Sequence, residues 1–280
     1  MARIRIVSDS ACDLPVSFLE ERDAAVVPLT IRFGDEELVD RTQLSPKEFW
    51  DRVITGQCQP ETAAPAPGAF QAAFRESLQL GYDGVLCLTL SSGVSATYQA
   101  AVSAAREVAG EIPVRVFDTL AMSVAQGIIV LEALELSESG RNLDELEEAA
   151  ASSRERTRLF GLVDSLDYLR RGGRIGGAAA LVGSLLSIKP VVEVRNGTVE
   201  LESRQRTRAR SFQYLASRVL EARPLTRIAV ASGAATDVED LLTLLEEAHP
   251  THDPVIVDLG PVVGSHTGPG SIGLALERER

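Results

Sequence analysis

The stretch "GVLCLTLSSGVSATYQAAVSAAREVAG", Gly84 to Gly110, decides the fold. "GVLCLTL" is a short continuous apolar run, the pattern of a strand buried on both faces. A hydroxyl-rich loop, "SSGVSATY", follows it, and then an alanine-rich helical pattern. The same order recurs at once in "VRVFDT" and "AMSVAQGIIVLEALELSESG". Strands alternating with helices predict a parallel sheet with helices on both faces. The chain reads as an α/β protein.

Upstream, "IRIVSDSACDLP" gives a strand, a loop and a helix over about 15–22. "AVVPLTIRFGDEELVD" reads as strand, turn at Gly34-Asp35, strand. "SPKEFWDRVI" has a serine N-cap, proline in the first helical position and Glu48 in the first turn, a well-marked helix start. "PETAAPAPG" reads as a proline-rich loop, and "AFQAAFRESLQLG" as an amphipathic helix closed by Gly81. Downstream, the charged "NLDELEEAAASSRERT" predicts a surface helix that bridges two domains. A second block then runs "RLFGLVDS" (strand), "LDYLRRGGRIGG" (loop), "AAALVGSLL" (helix) and "IKPVVEVRNGTVELESR", a hairpin turning at Asn196-Gly197. A helix over 207–221, the strand "RIAVAS", a helix over 237–247 and the strand "VIVDLG" lead to the glycine-rich "GPVVGSHTGPGSIG", 260–273. No short repeat is present.

At 280 residues the chain is about twice an ordinary domain, so two α/β domains with mainly parallel sheets are expected, over 1–157 and 158–280. A net charge of -12 opposes nucleic acid, whose binding needs clustered cations against phosphates. Cys12, Cys58 and Cys87 are far apart with no CxxC spacing and read as reduced thiols. The N-terminus opens directly on a strand pattern without the apolar core of a signal peptide. The longest apolar run, 175–194, is broken by Lys189 and Pro190 and predicts a buried helix and strand rather than a membrane span. The expectation is a soluble cytoplasmic protein.

Ligands of open α/β sheets bind beyond the carboxyl ends of the strands. The loops there carry Ser8, Ser10, Ser91, Ser92, Ser95, Thr97 and Thr119, and the proline-rich loop adds Thr62. Hydroxyls of this kind, with N–H groups at helix starts, suit an anionic head group. Two readings of "SSGVSATY" stand. Gly93-Val94-Ser95-Ala96-Thr97 is one residue short of a GxSxG elbow. It would allow a serine hydrolase acting on acyl esters, with Ser92 or Ser95, His266 and an aspartate such as Asp9 or Asp118. Alternatively the serines cap the helix. His249 and His252, separated by a proline, read as a solvated loop and not a metal site. His266 sits among Gly260, Gly264, Gly268, Gly270 and Gly273, either as a structural histidine or beside a ligand that the glycines let close to the backbone. Arg204, Arg206, Arg208 and Arg210 form a basic segment, either solvated or directed at an acidic or phosphate-bearing partner. "RRGGRIGG" is only loosely like a phosphate loop.

Taken in order, "IVSDSACDLP", "VVPLTIRFGDEEL", "ETAAPAPGAF", "GYDGVLCLTLSSGVSATYQAA", "VFDTLAMSVAQG", "DYLRRGGRIG", "LLSIKPVV" and "DLGPVVGSHTGPGSIG" resemble the DegV family of bacterial fatty-acid-binding proteins over essentially the whole chain. Two motifs depart: the family's Thr-Ser-Gln-Pro is Thr62-Ala63-Ala64-Pro65, and its Ser-Gly-Thr-Tyr is Ser95-Ala96-Thr97-Tyr98. The resemblance implies a two-domain α/β protein that encloses one long-chain fatty acid with its carboxylate at the domain junction. It implies a non-catalytic role, with no cofactor or metal, as the acyl carrier of a fatty acid kinase. The partner subunit, related to dihydroxyacetone kinases, phosphorylates the bound carboxylate to an acyl phosphate for phospholipid synthesis. Thr62, Ser91, Ser92 and His266 correspond to the carboxylate-binding set, and Arg206 to a contact for the partner or its nucleotide.

Overall fold

The computed structural model describes residues 2–56, 59–181, 188–246 and 254–280. β1 (Ile4–Asp9) is buried throughout and ends at Asp9, whose carboxylate accepts from Ala11 N–H and caps a 3-10 turn over Ser10–Cys12. α1 (Val16–Glu20), β2 (Ala25–Val27), β3 (Thr30–Phe33) and β4 (Glu36–Val39) follow. α2 (Pro46–Ile54) has a complete capping box: Glu48 N–H donates to Ser45 Oγ at 3.2 Å, and Ser45 N–H donates to the Glu48 carboxylate at 3.0 Å. β5 (Pro60–Ala63), α3 (Pro67–Gln79), β6 (Gly84–Thr89), α4 (Thr97–Glu107), β7 (Val114–Asp118), α5 (Ser123–Glu138) and α6 (Leu143–Arg156) complete the first half. The second half runs β8 (Thr157–Leu162), α7 (Asp167–Arg171), a 3-10 helix Gly176–Leu181, β9 (Lys189–Arg195), β10 (Thr198–Gln205), α8 (Arg208–Ala222), β11 (Leu225–Gly233), α9 (Val238–Leu245), β12 (Val255–Asp258), α10 (Pro261–Thr267) and β13 (Ser271–Arg278).

The first sheet, β2-β1-β6-β7, is parallel throughout, as the alternation of strands and helices predicts. The second differs. Its order is β10-β9-β8-β13-β11-β12, and among its pairings β11 with β12 is parallel while the other four are antiparallel. The expectation of mainly parallel sheets is therefore corrected for this half, and two features account for it. The tight Asn196-Gly197 turn, both residues at positive φ, folds β10 back on β9. β13, drawn from the glycine-bearing "SIGLALER", enters between β8 and β11 and opposes both. A third sheet, β4-β3-β5, is antiparallel. Its β5 comes from the proline-rich segment expected to be a loop, and proline is tolerated there because β5 is an edge strand. The expected helix "AAALVGSLL" is described only as far as the 3-10 turn, since 182–187 lie outside the described residues.

α5 organises both halves. Every residue from Ser123 to Leu134 is buried, and the helix contacts β1 and β6 on one side and β8, β11 and β13 on the other. A helix apolar on all faces belongs in a core, and "AMSVAQGIIVLEAL" has that character. The largest apolar cluster accordingly joins Ile6 and Leu88 of the first sheet, Ile129 of α5, and Leu159, Ala231 and Ala275 of the second sheet. α6 is also less superficial than its charge implies, because Leu146, Ala149, Ala150 and Ser153 are buried. Among the described residues, no helix is long and apolar enough to cross a membrane. Ile129→Ala is expected to cost about 2–5 kcal/mol. Urea unfolding followed by both far-UV signal and Trp50 fluorescence should shift as one transition, because the two sheets share this core.

Candidate functional site

Between the two sheets, at the N-terminal end of α5, lies a narrow cavity of about 90 Å³. Its walls come mainly from the second sheet. Across that sheet Val192, Gly161, Gly273 and Ala231 stand in register as one row, and the two central glycines leave the row without side chains next to the open space. A Cβ added at Gly273 would find no atom nearer than 3.6 Å. Leu90 and Val94 after β6, Met122 before α5, and Val262 and Val263 of α10 close the opposite side. The lining is almost wholly apolar.

One end is polar. The stretch "GPVVGSHT", read as a glycine loop, is the short helix α10 with Pro261 in its first turn. It carries His266 to Thr62 on β5, with Thr62 Oγ1 and His266 Nε2 at 2.9 Å. Gly172 lies against the other edge of the ring: a Cβ there would come within 2.1 Å of Nδ1. Nδ1 is buried and has no hydrogen-bond partner among the described residues. Arg174 completes this end, held by Nε to the Val94 carbonyl at 3.0 Å and by Nη1 to the Gly172 carbonyl at 2.6 Å. Burial, and then the Arg174 charge, push His266 down to about 4, so the imidazole is neutral at physiological pH. A neutral ring that donates through Nε2 frees the Thr62 hydroxyl proton for an anion. With the guanidinium of Arg174, that puts donors suited to an anion beside an apolar cavity.

The structure brings Thr62 and His266 together and places the other expected residues apart. Ser91 is fully buried and donates to the Gly197 carbonyl at 2.7 Å, which joins its loop to the tip of the β9–β10 hairpin. Ser92 is exposed, with its N–H on Asp118 Oδ1 at 3.2 Å. Neither lines the cavity, whereas Ser95 does, with its hydroxyl 2.9 Å from that of Thr97. Arg206 is exposed between β10 and α8, while Arg208 is bound to Asp164 and Asp237. His249, His252 and Cys58 lie outside the described residues, and Cys12 and Cys87 are buried thiols. No serine hydroxyl among the described residues bonds to His266, and no carboxylate orients its ring, so a Ser-His-Asp relay is not assembled. The glycines around His266 are also explained differently than expected. Side chains of the protein occupy the space at three of them: Asp13 and Arg41 at Gly260, Phe49 and Trp50 at Gly264, and Tyr168 at Gly268. Gly273 alone of these four borders the cavity. Arg174 is the residue that the sequence does not single out, because one arginine in the glycine-rich "RRGGRIGG" offers no spacing that marks it.

The sequence profile described as "Uncharacterised protein, DegV family" matches residues 3–279. The chain belongs to the DegV family. A DegV domain-containing protein of Streptomyces coelicolor is 36% identical over 278 residues, covering 98% of each chain. Among solved structures, a DegV family protein of Thermus thermophilus described by its fatty acid binding superposes with a TM-score of 0.89 at 32% identity, over 98% of this chain and 99% of that one. A stearic-acid-binding protein of Eubacterium ventriosum gives 0.86 at 28% identity, over 99% and 98%.

A histidine whose folded pKa lies below its unfolded value favours the folded state only while it is neutral. Its contribution is therefore present above about 6.5 and lost as pH falls towards 4. Histidine side-chain NMR should find His266 neutral at pH 5.5. Gly172→Ala, which forces the ring aside, should raise its midpoint towards 6.5.

Proposed function

We propose that this DegV protein binds one long-chain fatty acid between its two sheets, with the carboxylate at Thr62, His266 and Arg174 and the tail along the glycine row of the second sheet. The observation that carries this reading is the match of polarities: an apolar cavity that ends in one cation, one hydroxyl and one neutral imidazole. A carboxylate taken out of water needs such partners. Each hydrogen bond to it contributes about 1.5–3 kcal/mol, and each buried CH₂ about 0.8 kcal/mol before ordering costs. Relatives described as fatty-acid-binding support the ligand class.

The protein then acts as a cytoplasmic carrier rather than an enzyme. It presents the carboxylate to a kinase subunit related to dihydroxyacetone kinase, which makes the acyl phosphate. Residues 1–157 supply Thr62 and the serine loop, and 158–280 supply the acyl wall, Arg174 and His266. Ser91 shapes the rim through its hold on Gly197, exposed Ser92 stands apart from the head group on the same loop, and exposed Arg206 meets the partner or its nucleotide. Ala63 and Ala96, where the family carries Ser and Gly, are both exposed and leave the Thr62–His266 contact in place.

Calorimetry of delipidated protein with palmitate and with methyl palmitate tests the reading. Palmitate should bind far more tightly than its ester. His266→Ala and Arg174→Ala should each weaken palmitate by roughly 10–100-fold while leaving the ester little changed. Equal binding of acid and ester would rule out the carboxylate site.

A further inference from the structure

We infer that Asp13 is the positioning residue for His266: its carboxylate fixes the start of α10 and thereby sets where the imidazole meets Thr62. Asp13 stands at the end of the Ser10–Cys12 turn in the left-handed region (φ 59), is 1% exposed, and makes no contact with the cavity itself. One oxygen, Oδ1, accepts Gly260 N–H at 3.0 Å and Arg41 Nη2 at 2.8 Å; the other, Oδ2, accepts the Ser123 hydroxyl at 2.6 Å. A single side chain therefore ties the first residue of α5 to the N-cap of α10, and Arg41 supplies the countercharge.

The N-terminus of α10 has no cap of its own: Gly260 has no side chain, and its N–H turns outward to Asp13. A Cβ at Gly260 would lie 2.5 Å from Asp13 Oδ1 and 2.6 Å from Arg41 Nη2, so the contact requires glycine. Further along, Gly264 seats the helix on Phe49 and Trp50, and Trp50 Nε1 donates to the Leu259 carbonyl at 2.9 Å. With its start held by Asp13 and its middle by Trp50, α10 delivers His266 from its last turn at one position. Arg174 is the charged group that faces the ring. β5 presents Thr62 to it, α2 presents Phe49 and Trp50 to the helix, and α7 presents Tyr168 to Gly268. The ligand arm of this inference rests on the fatty acid reading; the placement of the ring does not.

The test uses the full chain with labelled histidine, the His266 resonance being assigned with His266→Gln. In Asp13→Asn, folded by near-UV circular dichroism, the His266 midpoint should rise from about 4 towards 6.5, and palmitate affinity should fall about tenfold. Asp9→Asn removes an equally buried carboxylate from the same loop, one that bonds Leu90 and Ala11 but not α10, and should leave the His266 midpoint unchanged. If Asp13→Asn does not fold, Gly260→Ala, which keeps every buried charge and displaces the contact from the helix side, should give the same rise. An unmoved His266 in the folded variant, or an equal shift in Asp9→Asn, overturns the inference. A wild-type protein that takes up no palmitate, with His266 still displaced in Asp13→Asn, defeats the fatty acid reading and leaves the positioning role standing.

Discussion

Both sheets depend on α5. A helix without a polar face cannot rest on the surface of a domain, so two sheets must cover it, and the first and second halves of the chain share one core as a result. The far end of the helix is closed by a buried ionic cluster: Glu277 receives Arg227 at 2.8 Å, Arg156 at 3.0 Å and the Ser153 hydroxyl at 2.7 Å, and Arg156 also meets Glu132 at 2.9 Å. Such a cluster is costly to bury and fixes geometry more than it adds stability. The near end is different. There the sheets meet Met122 and Ser123 with glycine in place of branched side chains, and the space between them stays open. The cavity is the gap left where a shared helix begins.

The two kinds of polar group around that gap have separate tasks. Asp13, Arg41 and Ser91 are spent on backbone and side chains of the protein and hold the pieces in place. Thr62 and Arg174 leave donors over, in the Thr62 hydroxyl that His266 orients and in the remaining guanidinium N–H groups. A carboxylate fits the second group because its charge offsets Arg174, which after burial is the lesser of the two causes that keep His266 neutral.

Much of the fold was legible, for local reasons. The parallel first sheet follows from apolar runs between helical patterns, α2 from Ser45 and Glu48, and the β9–β10 hairpin from Asn196-Gly197. β13 was not legible: its alternation is blurred by Gly273 and Ala275, small because a cavity and a helix lie against them, and it pairs with strands far away in the chain. α10 was hidden for a similar reason, since Gly264 opposes helix propensity and is present to admit Phe49 and Trp50. His266 and Thr62 stood out by type and setting. Arg174 did not, because its importance comes from the fold bringing Val94 and Gly172 around it, and neither is near His266 in sequence.

The most direct measurement is native mass spectrometry of the protein as purified from a bacterial host, followed by denaturation and identification of what is released. One long-chain fatty acid per chain, lost on denaturation and greatly reduced in Arg174→Ala, is the predicted result. A wild-type protein that arrives empty and stays empty after incubation with palmitate and oleate would contradict the account.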